Sequence, residues 1–247
     1  MPRVVGMMFR WSLIPLLFLL AEAMAGELAR ALRANGAGLS WLLHPLALWF
    51  TAGVGFRLLF GALMGRFGRD DPLEFIDTLE HELTHALMGY ATLCPPISLT
   101  ASLKAGGEVE LRGTNPLAAL APYFLPLWTL LALLLGMVVK PSMQPAWNHL
   151  IFFLLGVFCY RLLREYRWRQ TDLHVYGFVF STLSVFILLL LSLALILHAR
   201  GLLPGTWLGS AGRQAWHSLP RAWEWIRSHI GGGLSSPPLV DIPASNV

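Results

Sequence analysis

Two histidines, His81 and His85, are four residues apart and would lie on one face of a helix, where both can bind the same metal ion. Glu82 directly follows the first histidine, so the segment has the pattern His-Glu-x-x-His. In zinc hydrolases with this pattern, the imidazoles bind Zn²⁺ and the glutamate acts as a base on a water molecule. The motif therefore predicts one zinc ion with His81 and His85 as ligands, and Glu82 as the catalytic base.

The residues before the motif extend its polar face. Glu74, Asp77 and Thr78 fall on the side that carries the histidines, whereas leucine, isoleucine and phenylalanine cover the other sides of the helix. Such a polar stripe on an apolar helix faces a site, a cavity or another polar element. The alternative is a solvated amphipathic helix, which is typical of soluble proteins.

Composition favours a membrane protein, because 55% of the 247 residues are hydrophobic and only 13% are charged, whereas soluble domains have about 25% charged residues. The motif helix, residues 72–93, is also counted as membrane-embedded despite its acidic residues, because ionisable residues at membrane depth mark a functional site by default. We predict an all-α polytopic membrane protein with about six transmembrane or membrane-embedded helices. The other five are apolar stretches near the ~20 residues that a bilayer requires, at residues 7–28, 39–64, 117–139, 149–163 and 174–197.

The two ends of the chain differ from this membrane-embedded domain, which we assign to residues 1–200 with a catalytic core at residues 72–180. Residues 1–25 are either a first span or a signal peptide, because two arginines precede a short apolar core that ends in small residues. Tryptophan and arginine are interleaved in residues 201–230, which predicts an amphipathic segment in the lipid headgroup layer. Residues 231–247 are rich in Gly, Ser and Pro and are predicted to be disordered.

The arginines predict the orientation in the membrane, because short cytoplasmic loops carry an excess of Lys and Arg. Placing both arginine clusters in the cytoplasm puts the histidine motif nearer the cytoplasmic face of what we expect to be a bacterial inner membrane. The net charge of +4 then reflects orientation and does not indicate binding to nucleic acid. The clusters lie in the second half of the second and fourth apolar stretches and directly after them, and consist of Arg57, Arg66, Arg69, Arg161, Arg164, Arg167 and Arg169.

A β-hairpin is predicted directly after the motif helix. Apolar and polar residues alternate in residues 97–103 and again in residues 108–111, and Lys-Ala-Gly-Gly at residues 104–107 suits a turn. Backbone of this kind at membrane depth requires cover from protein or a wet cavity. The hairpin is either an ordinary surface loop or a free strand edge with which an extended peptide can pair.

Taken together, the His-Glu-x-x-His helix, the Gly-Gly hairpin, the segment Gly-Thr-Asn-Pro at residues 113–116 and an aspartate near the start of a later span resemble the site-2 protease family of intramembrane zinc metallopeptidases. The resemblance covers residues 71–180. It implies hydrolysis of peptide bonds in membrane-spanning or membrane-anchored proteins. It also implies Asp172 as the third zinc ligand and a contact between Asn115 and the substrate.

The third ligand has alternatives. The family has Leu-Asp-Gly at this ligand, whereas here Leu173 follows Asp172. Asp172 is also a suitable N-terminal cap for the next helix. Glu108 or Glu110 as third ligand would instead indicate a membrane zinc protease of another family. Two further readings are a non-catalytic homologue that binds membrane proteins and a metal transporter.

Other polar residues near these motifs have two readings each. Asp77 precedes His81 by four residues and either accepts the second N–H of that imidazole or points to the cytoplasm. Asn115 either contacts substrate or caps the helix that begins at Pro116. His174 is either a partner of Asp172 or an interfacial anchor. The two cysteines, Cys94 and Cys159, are predicted to be buried apolar residues without a disulfide.

Overall fold

The computed structural model describes residues 2–34, 44–102, 106–113, 115–168 and 170–230, and most of this part of the chain is helical. There are also two 3₁₀ turns, Ala121–Tyr123 directly after Pro116–Leu120 and Pro141–Met143 directly before Gln144–Glu165. In chain order the described elements are α1 (Pro2–Ala34), α2 (Pro45–Arg66), α3 (Pro72–Ala91), β1 (Pro96–Ser102), β2 (Gly106–Leu111), α4 (Pro116–Leu120), α5 (Leu127–Leu135), α6 (Gln144–Glu165), α7 (Thr171–Val175), α8 (Phe178–Ala199) and α9 (Trp207–Ile230).

Three of the described helices, α2, α6 and α8, are long and apolar enough to cross a membrane. Helices α4 and α5 add a fourth span if the two are counted as one broken segment. The mostly helical architecture with apolar helices of membrane length is therefore confirmed. The count of six membrane-embedded helices stays a prediction.

Two of the predicted spans are interrupted. The stretch predicted at residues 117–139 is divided into α4 and α5, which are bent by 83° relative to each other. Pro122 and Pro126 explain the break, because proline lacks the N–H that continues a helix and disfavours helical geometry in the residue before it. The last predicted span is divided by Gly177, whose φ of +90° is easily adopted by glycine and separates α7 from α8.

Helices α2 and α6 pack directly on each other at two glycines. A methyl group added to Gly53 would lie 2.0 Å from the carbonyl oxygen of Phe153, and one added to Gly156 would lie 2.1 Å from the carbonyl oxygen of Phe50. Small residues allow such close backbone contact between membrane helices. The contact fixes the separation of α2 and α6.

The largest apolar cluster joins α1, α5, α6, α8 and α9. Helix α9 packs along α1, with Trp207 and Ala211 buried and Trp216 exposed. The predicted position of this segment in the headgroup layer stays a prediction. Residues 231–247, predicted to be disordered, lie outside the described part of the chain.

The hairpin predicted after the motif helix is confirmed. Strands β1 and β2 pair antiparallel, with Ser102 opposite Gly106 at one end and Pro96 opposite Leu111 at the other. Gly106 begins β2, so the two glycines predicted for the turn lie in the strand, and residues 103–105 are outside the described residues. Both strands pack against α3.

We expect Gly53→Ala and Gly156→Ala each to lower the free energy of unfolding by about 1–3 kcal/mol, because the new methyl group would overlap a backbone carbonyl of the neighbouring helix. The measurement is reversible unfolding of the detergent-solubilised chain with SDS. Gly55→Ala is the matched control on α2, since nothing lies within 4 Å of the added group, and alanine favours the helix. Equal stability of the three variants would contradict the close contact.

Candidate metal centre

Helix α3 buries its polar side chains and exposes apolar ones. Asp71 caps its first turn by accepting a hydrogen bond from the backbone N of Leu73 at 2.9 Å. Ile76 and Leu87 are 41% and 49% exposed. This is the reverse of a helix on a soluble protein and suits a helix with lipid outside and a polar site inside. The buried polar residues of the helix are Asp77, Glu80, Glu82, Thr84 and His85.

Asp172 on α7 meets the two histidines of α3. Its Oδ2 lies 3.6 Å from Nε2 of His81 and 3.7 Å from Nε2 of His85. One ligand atom from each of the three residues lies within 4.8 Å of the other two. The structure thus brings together the three residues predicted as zinc ligands.

Each imidazole is held through its other nitrogen. Nδ1 of His81 lies 3.2 Å from Oε2 of Glu165, and Nδ1 of His85 lies 2.8 Å from the carbonyl oxygen of Ala118. Carboxylate and carbonyl oxygens only accept hydrogen bonds, so Nδ1 is the donor in both rings. In a neutral ring the free lone pair is then on Nε2, which is the arrangement of metal-binding histidines.

Asp172 is fixed by its neighbours on both sides. Tyr123 donates its hydroxyl hydrogen to Oδ2 of Asp172 at 3.1 Å, and Leu173 is fully buried in the same cluster as Tyr123. A carboxylate held in this way offers an oxygen to a metal ion.

Glu82 and the three clustered residues line one cavity of about 790 Å³. Strand β2 covers one side of this cavity, with Gly106, Gly107 and Glu108 among the lining residues. A methyl group added to Gly107 would lie 2.6 Å from Cγ of Glu82 and 2.7 Å from Cγ2 of Thr78. The strand therefore runs directly over Glu82 because residue 107 has no side chain.

The three clustered residues fit a zinc ion. Bonds of about 2.0–2.1 Å at tetrahedral angles place two ligand atoms about 3.4 Å apart, close to the 3.6 and 3.7 Å between the imidazoles and the carboxylate. Three protein ligands leave a fourth position open, as in catalytic zinc sites.

The alternatives to Asp172 as third ligand have less support. Glu108 lines the cavity, but neither Glu108 nor Glu110 belongs to the cluster of ligand atoms found among the described residues. The N-cap of α7 is Gln170, so Asp172 lies inside the helix and not at its cap. The geometry therefore favours Asp172.

Asn115 has the capping role that the sequence left open. Its Oδ1 accepts a hydrogen bond from the backbone N of Ala118 at 2.9 Å, and its Nδ2 donates to Oγ1 of Thr92 at 2.8 Å. Asn115 does not line the large cavity. A contact between Asn115 and substrate stays a prediction.

The other polar residues singled out in the sequence have partners away from the candidate ligands. Asp77 pairs with Arg57. The contact with Nδ1 of His81, one of the two readings for Asp77, is made by Glu165. His174 contacts the carbonyl oxygen of Trp168. Cys94 and Cys159 form no disulfide and are partly buried.

Three charged residues of the site were missed by sequence reasoning. Arg57 and Arg161 were predicted as cytoplasmic charges, but they are 0% and 1% exposed. Arg57 bonds to Asp71 and Asp77, both at 2.6 Å. Glu165 belongs to none of the sequence motifs. For the two arginines the sequence contains a signal of burial, because charged residues within apolar stretches require partners inside the protein.

In three comparisons with known proteins, the chain matches no protein family, no curated protein and no solved structure. A function for the chain therefore has to be argued from the geometry of the site and from the sequence motifs.

We expect Arg57→Met to lower the free energy of unfolding by about 3–5 kcal/mol, because two buried carboxylates would lose their cation. SDS unfolding in detergent measures the change. Arg66→Met is the matched control, since Arg66 is exposed at the end of the same helix and should change stability by less than about 0.5 kcal/mol. Equal effects of the two substitutions would show that Arg57 does not hold α3 to α2.

Proposed function

We propose that this chain is an intramembrane zinc metalloprotease that hydrolyses peptide bonds of membrane-spanning or membrane-anchored proteins. The proposal is carried by the meeting of His81, His85 and Asp172 in a polar cavity that also contains Glu82. Zinc hydrolases combine three protein ligands, an open fourth position and a nearby carboxylate in this way. The resemblance of the sequence to the site-2 protease family supports the same assignment.

In this mechanism His81, His85 and Asp172 would hold the zinc ion, which when bound would supply a water of lowered pKa and polarise the carbonyl of the scissile bond. Glu82 accepts a proton from the attacking water and delivers it to the leaving amine as the C–N bond breaks. Glu165 and the carbonyl of Ala118 keep the two imidazoles in their orientation.

Strand β2 offers a place for the substrate. One edge of β2 pairs with β1, and residues of β2 line the cavity beside Glu82. An extended peptide can add to a free strand edge through main-chain hydrogen bonds. This mode suits a membrane protein substrate, because a helix satisfies its backbone internally and must unwind before a peptide bond can be attacked.

We place the site inside the bilayer, accessible from the cytoplasmic face of a bacterial inner membrane. The exposed apolar side chains of α3 support a position in lipid. The exposed Arg66, Arg164 and Arg167 lie at or just after the C-terminal ends of α2 and α6, and they agree with a cytoplasmic excess of arginine. Helices α1 and α3, with the three apolar helices and the bent pair, would make up the six membrane-embedded segments.

The test of the metal site is the zinc content of the full chain purified in detergent, measured by elemental analysis. We expect about one zinc ion per chain in the wild type and in Glu82→Gln, and loss of zinc in His85→Ala and Asp172→Ala, because only the latter two remove ligands. Glu108→Ala is the matched control, since it removes a different carboxylate from the same cavity.

Other outcomes would indicate other functions. Loss of zinc in Glu108→Ala but not in Asp172→Ala would indicate a membrane zinc protease of another family. A wild-type chain without zinc would favour a non-catalytic protein that binds membrane proteins, or a transporter. If zinc is bound, Glu82→Gln should slow the cleavage of single-span membrane proteins by about 10²–10⁴-fold, and unchanged cleavage would contradict its role as base.

We expect Gly107→Val to slow cleavage by about 100-fold without loss of zinc, because the new side chain would displace Glu82, and a misplacement of about 1 Å has effects of this size. Cleavage of a labelled single-span protein and zinc content are measured on the same sample. Gly107 is opposite Ala101 in the hairpin, so the neighbouring Thr100 points to the other face. Thr100→Val is the control, and equal rates for both variants would contradict the contact.

A further inference from the structure

Arg161 lies between the candidate metal centre and the bend that separates α4 from α5. Its Nη1 is 3.6 Å from Oε2 of Glu165, the same oxygen that lies 3.2 Å from Nδ1 of His81. Its Nη2 is 3.4 Å from Oε2 of Glu80 and 3.4 Å from the carbonyl oxygen of Pro122. One guanidinium thus contacts α3, the bend and a carboxylate that holds a candidate ligand.

Glu80 connects this guanidinium to the start of α5. It immediately precedes His81 on α3, is 3% exposed, and accepts a hydrogen bond from the backbone N of Trp128 at 3.3 Å. The N-cap residue of α5, Pro126, makes no side-chain cap bond, so Glu80 serves as the cap from another helix. Polar contacts therefore run from α5 through Glu80 to Arg161.

The incomplete pairing of Arg161 argues against a purely structural role. Among the described residues, its Nε and Nη1 are buried without a hydrogen-bond partner. Apolar side chains of similar volume often replace buried ion pairs without loss of stability. A fixed positive charge beside Glu165 has a different effect, because it orients the carboxylate that in turn orients the imidazole of His81.

The same bend also reaches the third candidate ligand. Pro122, whose carbonyl faces Arg161, is followed by Tyr123, whose hydroxyl binds Asp172. Tyr123 also packs edge-on against the ring of His81, with the ring centroids 5.7 Å apart. The bend thus contacts His81 and Asp172 directly, and Arg161 anchors it.

We propose that Arg161 is a positioning residue for the metal site: it holds Glu165 in place behind His81 and ties the orientation of that ligand to the bend between α4 and α5. This rests on the proposed zinc site. Arg161 touches neither the cavity nor the reacting atoms, so its effect is on the affinity and geometry of metal binding.

The experiment is a titration of the full chain in detergent with Zn²⁺ against a competing chelator, with the absorption spectrum of bound Co²⁺ as a measure of ligand geometry. Arg161→Met and Glu165→Gln should each weaken zinc binding by about 10–100-fold. The double variant should bind zinc with the same affinity as the single variant that has the lower affinity, because both changes act on one imidazole. Arg161→Lys retains the charge and should recover part of the affinity.

Arg164→Met is the matched control. Arg164 lies on the same helix and pairs with Glu74 of α3, but it is exposed. Among the described residues, its side chain forms no ion pair with Glu165 and no hydrogen bond to His81. Its substitution should leave zinc affinity within about twofold of the wild type, as for surface positions in general. A loss equal to that of Arg161→Met would overturn the proposal, because any bond between α6 and α3 would then have the same effect.

Two other results would also overturn it. One is that Arg161→Met has wild-type zinc affinity and an unchanged Co²⁺ spectrum, whereas His81→Ala and Asp172→Ala abolish binding. The metal site would then be supported, but Arg161 would have no role in it. The other is losses that multiply in the double variant, since Arg161 would then act independently of Glu165. A wild-type chain that binds no zinc would refute the metal site as well. If Arg161→Met does not fold, Arg161→Lys with Glu165→Gln completes the same cycle.

Discussion

A charge buried in apolar surroundings is costly unless an opposite charge lies beside it, and this constraint explains the position of α3. The helix and its cap carry buried carboxylates that need cations. Two apolar helices supply one arginine each: Arg57 of α2 bonds to Asp71 and Asp77, and Arg161 of α6 faces Glu80. Because α2 and α6 pack directly on each other, the two arginines have a fixed separation, and α3 is aligned against both.

With α3 in place, short-range packing brings the hairpin onto its polar face. Leu93, with a φ of +62°, lies two residues after the end of α3, and the backbone N of Cys94 donates to the carbonyl of Gly89 at 2.7 Å. A methyl group added to Gly89 would lie 2.6 Å from the carbonyl oxygen of Cys94. Glycines at residues 89 and 107 therefore let the hairpin return closely over the helix, and the cavity beside Glu82 is the space that remains.

Side-chain chemistry and periodicity are sufficient to predict the motif helix and the hairpin, because each has a local pattern. Asp172 as a candidate ligand follows instead from the resemblance to the site-2 protease family. Hydropathy does not reveal the bend at Pro126, since an average over a stretch of membrane length conceals one break. Counting arginines for topology misplaces Arg57 and Arg161, because whether an arginine is buried depends on its neighbours in space. Glu165 lies 84 residues from His81 in the chain, and no local pattern links them.

The departure from the Leu-Asp-Gly pattern has a structural explanation. Asp172 lies on the short helix α7, and the glycine that interrupts the last span is Gly177, five residues later, where φ is +90°. The residue directly after the aspartate is Leu173, which is fully buried beside Tyr123. A glycine there would lose this anchor. Leu173 and Tyr123 therefore both help to position the carboxylate, and Tyr123 belongs to the same bend that Arg161 contacts.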